Sequence, residues 1–375
     1  MMKSLSKKLF ISIVIFMLSS CELRDISLTD IFQENEPVKI EVAIAKWYDN
    51  HTAALCIDND AGSVASPPEQ LVQQIVKENN LTIDYEFVTE RYRTDTVRFN
   101  YLFSDFLPMG FGYFGHGDTH INHDLLSEEE SYESFKKCYD TMIEFGLKPV
   151  SYAYPGGFGH LLRTQRALKR AGFLSARRFE KLDVFNPYIM PDNKTEPENW
   201  YELTSLVMQA YDYISCSICI NNTQDLIPHL DKTLEKRAWL IITYHSIGQK
   251  DSYGFYYLND FKKDLLEIKK RDFWVAHNDD VTLYVIEKNE ANVDVQHILN
   301  DDIAKEKIKI IIDDGLDNEK FDVPLTLLFD LPDNWLRKKL KLAQDTVIIG
   351  EYEFEKNPVK ISLLPNEKEY ELRIK

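Results

Sequence analysis

The residues of this 375-residue chain that could do chemistry fall in four short segments. The first is Ile57-Asp58-Asn59-Asp60-Ala61-Gly62. Side chains alternate along a strand, so Asp58 and Asp60 project to the same side where the strand ends. Two carboxylates this close cannot both sit free in a cleft without raising one pKa. A bound cation relieves that strain and leaves one carboxylate as ligand and the other as base. Spacing alone does not rank the two, and a solvated Asp-Asn-Asp turn also satisfies the pattern. The second segment runs from Gly115 to Asp124 and holds three of the nine histidines. His116 and His120 stand at i, i+4, where one helical turn puts both imidazoles on one side. Two imidazoles and a carboxylate leave a coordination position for water, as a catalytic zinc requires. His120 and His123, at i, i+3, are the competing pair, with His116 then supporting them. The third segment is Tyr152-Ala153-Tyr154-Pro155-Gly156-Gly157. A strand running into Pro-Gly-Gly turns tightly and exposes a backbone amide that can stabilise an oxyanion. A plain turn has the same sequence. The fourth is Thr243-Tyr244-His245-Ser246, where a histidine leaving a buried strand suits a general acid near neutral pH.

Regular elements must position these residues. From about 38 to 287, apolar runs of strand length alternate with helical patterns. The spacing predicts strands at 53–57, 149–154, 239–244 and 273–276, and helices at 68–78, 127–145, 164–171 and 257–270. Ser127 is placed to cap the second helix, whose Glu128, Glu129 and Glu130 suit its positive end. Gly146 and Gly172 follow helix ends. Such alternation argues for a parallel sheet or barrel with its chemistry at the strand C-terminal ends. After about 289 the pattern becomes strands at 307–312, 325–329, 346–349 and 359–364 with no long helix, which reads as a small all-β sandwich. The long stretch 61–114 carries Tyr101, Phe103, Phe106, Phe111, Tyr113 and Phe114. These read as core or strand residues, with stacking on sugars as the alternative.

Composition narrows the function. The formal net charge is −17, and no Lys/Arg stripe stands against it, so a nucleic-acid partner is excluded. At the N-terminus Lys3, Lys7 and Lys8 precede an apolar run at 9–18, too short for a comfortable membrane span. Ser19 and Ser20 then precede Cys21, which is a secretory signal pattern over 1–21. Leu18-Ser19-Ser20-Cys21 resembles a bacterial lipobox, which implies acylation of Cys21 and an extracytoplasmic, membrane-anchored protein. Glu22 follows the cysteine where a retention Asp is absent, so the outer membrane is the expected site. Residues 22–37 read as a polar linker. Cys216-Ser217-Ile218-Cys219 has metal-knuckle spacing but no second pair at zinc-finger distance, and reads as a buried strand with core cysteines.

The four segments, in this order, resemble the polysaccharide deacetylases of carbohydrate esterase family four, of NodB-homology type. Asp58-Asn59-Asp60 looks like the family's aspartate pair, with a residue between. His116-Gly117-Asp118-Thr119-His120 matches its His-x-x-x-His motif. Ala153-Tyr154-Pro155-Gly156-Gly157 keeps only the Pro and last Gly of Arg-x-Pro-Tyr-Gly. Gly156 stands where Tyr lends its amide, and Arg177, or Arg178, could replace the missing guanidinium. Ile241 to His245 resembles the last motif. The resemblance covers about 38 to 287 and implies an α/β fold, a distorted (β/α) barrel at 38–288, with the all-β region at 289–375. It implies Asp60, His116 and His120 as ligands of one divalent metal ion, with zinc expected, and Asp58 as catalytic base. It further implies an oxyanion amide at Gly156, His245 as acid, Arg177 orienting Asp58, and an acetylated glycan as substrate. Two rivals stand beside it. One is a glycan-binding lipoprotein of this fold with weakened catalysis, suggested by the altered third motif. The other is a metal-dependent phosphoesterase, whose sites need more Asp and His ligands.

Overall fold

Residues 53–59 are Ala-Ala-Leu-Cys-Ile-Asp-Asn, and every one is buried. An unbroken buried run marks a strand covered on both faces, as in a parallel sheet. In the computed structural model, which describes residues 37–179, 186–210, 218–300 and 302–375, this is the first strand of a parallel barrel. The signal segment 1–21, Cys21, nearly all of 22–37 and Cys216 lie outside the described residues. The barrel strands are β1 (Ala53–Asn59), β2 (Asp84–Phe87), β3 (Gly112–Gly115), β4 (Ser151–Ala153), β5 (Ser175–Phe179), β6 (Leu203–Val207) and β7 (Trp239–Tyr244), each parallel to the next. β7 pairs back onto β1 from Ala54↔Trp239 to Asn59↔Tyr244 and closes the ring. An eighth parallel strand, β8 (Phe273–Val275), occupies the lower half of β1's other edge, and β2 takes the upper end.

The helices expected at 68–78, 127–145, 164–171 and 257–270 are present as α1 (Pro67–Glu78), α2 (Glu128–Glu144), α3 (Leu162–Ala171) and, after α4 (Thr223–Glu235), α5 (Leu258–Lys269). Ser127 and Glu130 form a reciprocal capping box on α2, which satisfies two of the amides a helix start leaves unpaired. Gly172 ends α3 with φ +117°, a conformation that disfavours any side chain. A last helix, α6 (Asn278–Glu290), follows β8. Within 61–114 the chain builds β2, β3 and short helices at Thr89–Thr94 and Thr96–Tyr101. Its aromatics are structural: Phe106, Phe111 and Phe114 are buried, and Tyr101, Phe103 and Tyr113 pack partly buried against the barrel core.

The remaining strands are antiparallel. One sheet holds, in spatial order, Val38–Lys39, Asn292–Ile298, Lys307–Asp313, Asn366–Ile374, Leu340–Gln344 and Val347–Tyr352; a second holds Val359–Leu363, Leu325–Phe329 and Val42–Ile44. Ile308, Ile310, Leu327, Trp335 and Leu340 are among the buried residues of their shared core. Residues 38–44, expected to open the barrel region, pair instead with these C-terminal strands. Their half-exposed pattern suits an antiparallel sheet with one wet face, not a barrel strand buried on both. The expected boundary at 288/289 falls inside α6. No helix among the described residues is long and apolar enough to cross a membrane.

Candidate metal centre

Strand register assembles the site. Asn59 of β1 pairs with Tyr85 of β2 and with Tyr244 of β7. One residue further along, the same register sets Asp60 between Glu86 and His245. Phe87 pairs with Gly115 at the end of β3, so His116 emerges on the next strand over. Ala153 pairs with Arg177, which brings the guanidinium in from β5. Arg177 donates from Nε to Asp58 Oδ2 at 2.5 Å in a buried bond and from Nη2 to Asp60 Oδ2 at 3.2 Å in a part-buried one. Its guanidinium lies 4.7 Å from the ring centre of Phe114, which forms one wall.

His116 lies fully buried with Nδ1 2.8 Å from the carbonyl oxygen of Ala153. A carbonyl only accepts, so Nδ1 carries the proton and Nε2 carries the lone pair. That Nε2 makes no hydrogen bond. It faces Asp60 Oδ1 at 3.2 Å and Glu86 Oε2 at 3.6 Å. The His120 ring lies 4.9 Å from that of His116. Glu86, His116 and His120 each offer a ligand atom within 4.8 Å of the others. The other oxygen of Glu86 accepts from Arg91 at 2.5 Å. His245 Nε2 stands 3.9 Å from Asp60 Oδ2, with Phe179 and Tyr253 beside its ring at 6.0 and 5.0 Å.

The electrostatics fit a cation. Burial alone would raise Asp60, but His116, Arg177 and His245 outweigh it and hold the carboxyl well below the usual range. Burial, then the facing Asp60, pushes Glu86 well above its ordinary value despite Arg91. Asp60 and Glu86 face each other across His116 Nε2, and their mutual repulsion shifts the two carboxyls in opposite directions. Burial pushes His116 down to about 3, which keeps its imidazole neutral and able to coordinate. Burial also lowers His245. Asp58 is raised by burial to about 7, with Arg177 opposing the shift and Asp84 adding to it. Glu86, His116 and His120 converge, with Asp60 facing the orphaned His116 Nε2, a mixed N/O donor set that suits a divalent ion.

Asp58, Asp60, His116, His120, Arg177 and His245 thus lie in one cluster. Other expectations change. His116 and His120 share no helical turn: β3 ends at Gly115, and Gly117 takes φ +91°, which a helix cannot continue through. The group whose ligand atoms converge holds His116 and His120 and does not include His123. His123 is buried, stacked on Phe135 at 4.1 Å, and its Nε2 lies 2.9 Å from Ser134 Oγ. Arg178 points to the other side of β5, where it meets Glu202 at 2.7 Å. Gly156 lies exposed just past β4 with φ +67°, and a side chain there would meet the Phe158 ring. Cys219 is disulfide-bonded, not a free core thiol, while Cys56 and Cys138 are free and buried. Glu86 was missed altogether. Its signal was the alternation Asp84-Tyr85-Glu86-Phe87, a period of two that ends in an acid.

No protein-family model matches the chain, and no curated protein matches it. Solved structures do. A candidate polysaccharide deacetylase from Mycobacterium smegmatis is 15% identical, with TM-score 0.47, over 66% of this chain and 95% of that one. The PuuE allantoinase is 14% identical, with TM-score 0.44, over 64% and 92%. A family 4 carbohydrate esterase from Streptomyces lividans, solved with acetate, is 10% identical, with TM-score 0.35, over 59% and 88%. The reading of function below rests on the site's own geometry.

Proposed function

We propose that this chain is a metal-dependent hydrolase that removes acetyl groups from a glycan. The observation that carries it is the buried, unpaired Nε2 of His116 facing Asp60 and Glu86. His116, His120 and Asp60 would hold one divalent ion, with Glu86 as a further carboxylate and zinc the expected metal. Such an ion polarises the acetyl carbonyl and lowers the pKa of water. Asp58, raised to about 7, is tuned to take a proton from that water near neutral pH. Arg177 holds Asp58 in place, and also tethers Asp60. His245, at the mouth of β7 with Nε2 3.9 Å from Asp60 Oδ2, would in its protonated form hand a proton to the departing amine or hydroxyl and return to neutral imidazole. The turn at Gly156 offers its amide to the oxyanion. Exposed aromatic faces at Tyr253 and Phe158 support a ring-bearing substrate such as a sugar. Nothing in the site distinguishes an amide-linked from an ester-linked acetyl. The lipobox-like Leu18-Ser19-Ser20-Cys21 supports a lipid-anchored, extracytoplasmic protein at the outer membrane.

Acetate release from acetylated chitin-like, xylan and peptidoglycan fragments tests this reading. Release should stop on chelation and return with added zinc. A zinc-loaded protein that binds these glycans yet frees no acetate from any of them would instead be the binding protein that the altered third motif suggests.

A further inference from the structure

Asp58 has a second oxygen, and its partner comes from an unexpected place. Asn278 Nδ2 donates to Asp58 Oδ1 at 2.6 Å. The same Nδ2 is 2.8 Å from Asp84 Oδ2, which also accepts the backbone N–H of Asn278 at 2.7 Å. Asp84 Oδ1 lies 2.5 Å from His277 Nδ1. Asp58, Asp84 and Asn278 are all buried. The cavity that Asp58, Asn278 and Arg177 line together has about 10 Å³ of room, at the lower limit for one water. The amide is a direct contact on the Asp58 oxygen that Arg177 does not hold.

Asn278 is the first residue of α6, and α6 is gripped along its length. Asp279 Oδ1 accepts the N–H of Ser151 at 2.8 Å, at the start of β4. Thr282 bonds Ser175, at the start of β5, at 2.9 Å. The Tyr284 hydroxyl donates to the Ala45 carbonyl at 2.9 Å. Glu287 accepts the N–H of Val323 at 3.2 Å on both oxygens. Ala45 and Val323 belong to the antiparallel region, as Ala45 N–H donates to Thr326 and Val323 lies in its core. The helix is thus a strut with one end in the β region and the other on the Asp58 carboxyl.

We infer that Asn278 is a positioning residue that fixes the carboxylate plane of Asp58, and that α6 transmits the packing of the C-terminal β region to that carboxylate. The inference rests on the hydrolase reading above. Arg177 on one oxygen and Asn278 on the other leave the carboxylate no free rotation, so its remaining lone pairs point in fixed directions. Loss of the amide frees that rotation without touching Asp60, Glu86, His116 or His120.

Two variants of the full chain test it. Asn278→Ala removes the side chain. Asn278→Asp keeps its size and suits a helix start, but replaces the donor with an acceptor. Both should lower kcat for acetate release by about 10- to 100-fold, the scale of a misplaced reacting group. KM should change less than about twofold and bound zinc should stay at the wild-type ratio, since uniform binding and the ion are untouched. An unfolded helix would instead lower zinc content together with kcat and raise KM. Crystal structures of both variants read the same point without turnover. An Asp58 carboxylate rotated from its wild-type plane supports the inference. Wild-type kcat in Asn278→Asp, or an unmoved Asp58 in either structure, overturns it. An inactive wild-type protein overturns the hydrolase reading alone, because the crystallographic comparison still decides the role of Asn278.

Discussion

Glu86 faces His116 Nε2 beside Asp60, so in the proposed metal site it would govern how firmly the ion is held. Glu86→Gln removes one negative charge and leaves the shape. It should weaken zinc binding by at least about tenfold, in line with losing a coordinating or immediately supporting group, as read by competition with a coloured chelator. His123→Ala makes the contrast. Its ring stacks on Phe135 and bonds Ser134, so it should leave zinc affinity unchanged and lower stability by about 2 kcal/mol in chemical denaturation. Equal loss of zinc in both variants would put His123 back among the ligands. The histidine cluster could be found in the sequence because three imidazoles in so short a stretch are rare. Which two face the ion could not be, since a loop bent at Gly117 obeys no helical spacing.

At the scale of elements, strand register turned separate motifs into one centre. Asp60, Glu86, His116 and His245 come from the ends of β1, β2, β3 and β7, and Arg177 from β5. Apolar runs such as Trp239–Tyr244 were legible because parallel strands are buried on both faces. The strand Asp84–Phe87 was not, because two of its four residues are acids, Asp84 bonded to Asn278 and Glu86 facing His116. The turn after β4 carries its own prediction. Gly156→Ala forces a side chain into a left-handed backbone and against Phe158. Stability should fall by about 1 kcal/mol, and acetate release should fall further than stability explains if the turn's amide serves the oxyanion. Unaltered turnover in a folded Gly156→Ala protein removes the amide from the mechanism.

For the whole molecule, α6 joins barrel and β region through buried polar contacts, and Glu287 is the most telling of them. Burial raises its carboxyl from 4.5 to about 8. The unfolded chain releases this proton near pH 4.5, while the folded chain holds it to about pH 8. Stability contributed by this group is therefore complete below pH 4.5 and is lost as pH rises toward 8. Glu287→Gln has no proton to lose. It should gain on the wild type by roughly 2–4 kcal/mol between pH 5 and 8, measured as the difference between two denaturation series. Parallel series would show that Glu287 is ionised in the fold.

The pairing of residues 38–44 with strands beyond 290 has a consequence in time. During synthesis the barrel strands all emerge while the opening segment still waits for its partners. The sandwich can close only when the last strand, Asn366–Ile374, is free to join its sheet. Contacts between such distant parts of a chain form slowly. A barrel already closed would leave Asp58 without its Asn278 partner until α6 is gripped, so that carboxylate is the last part of the molecule to be set.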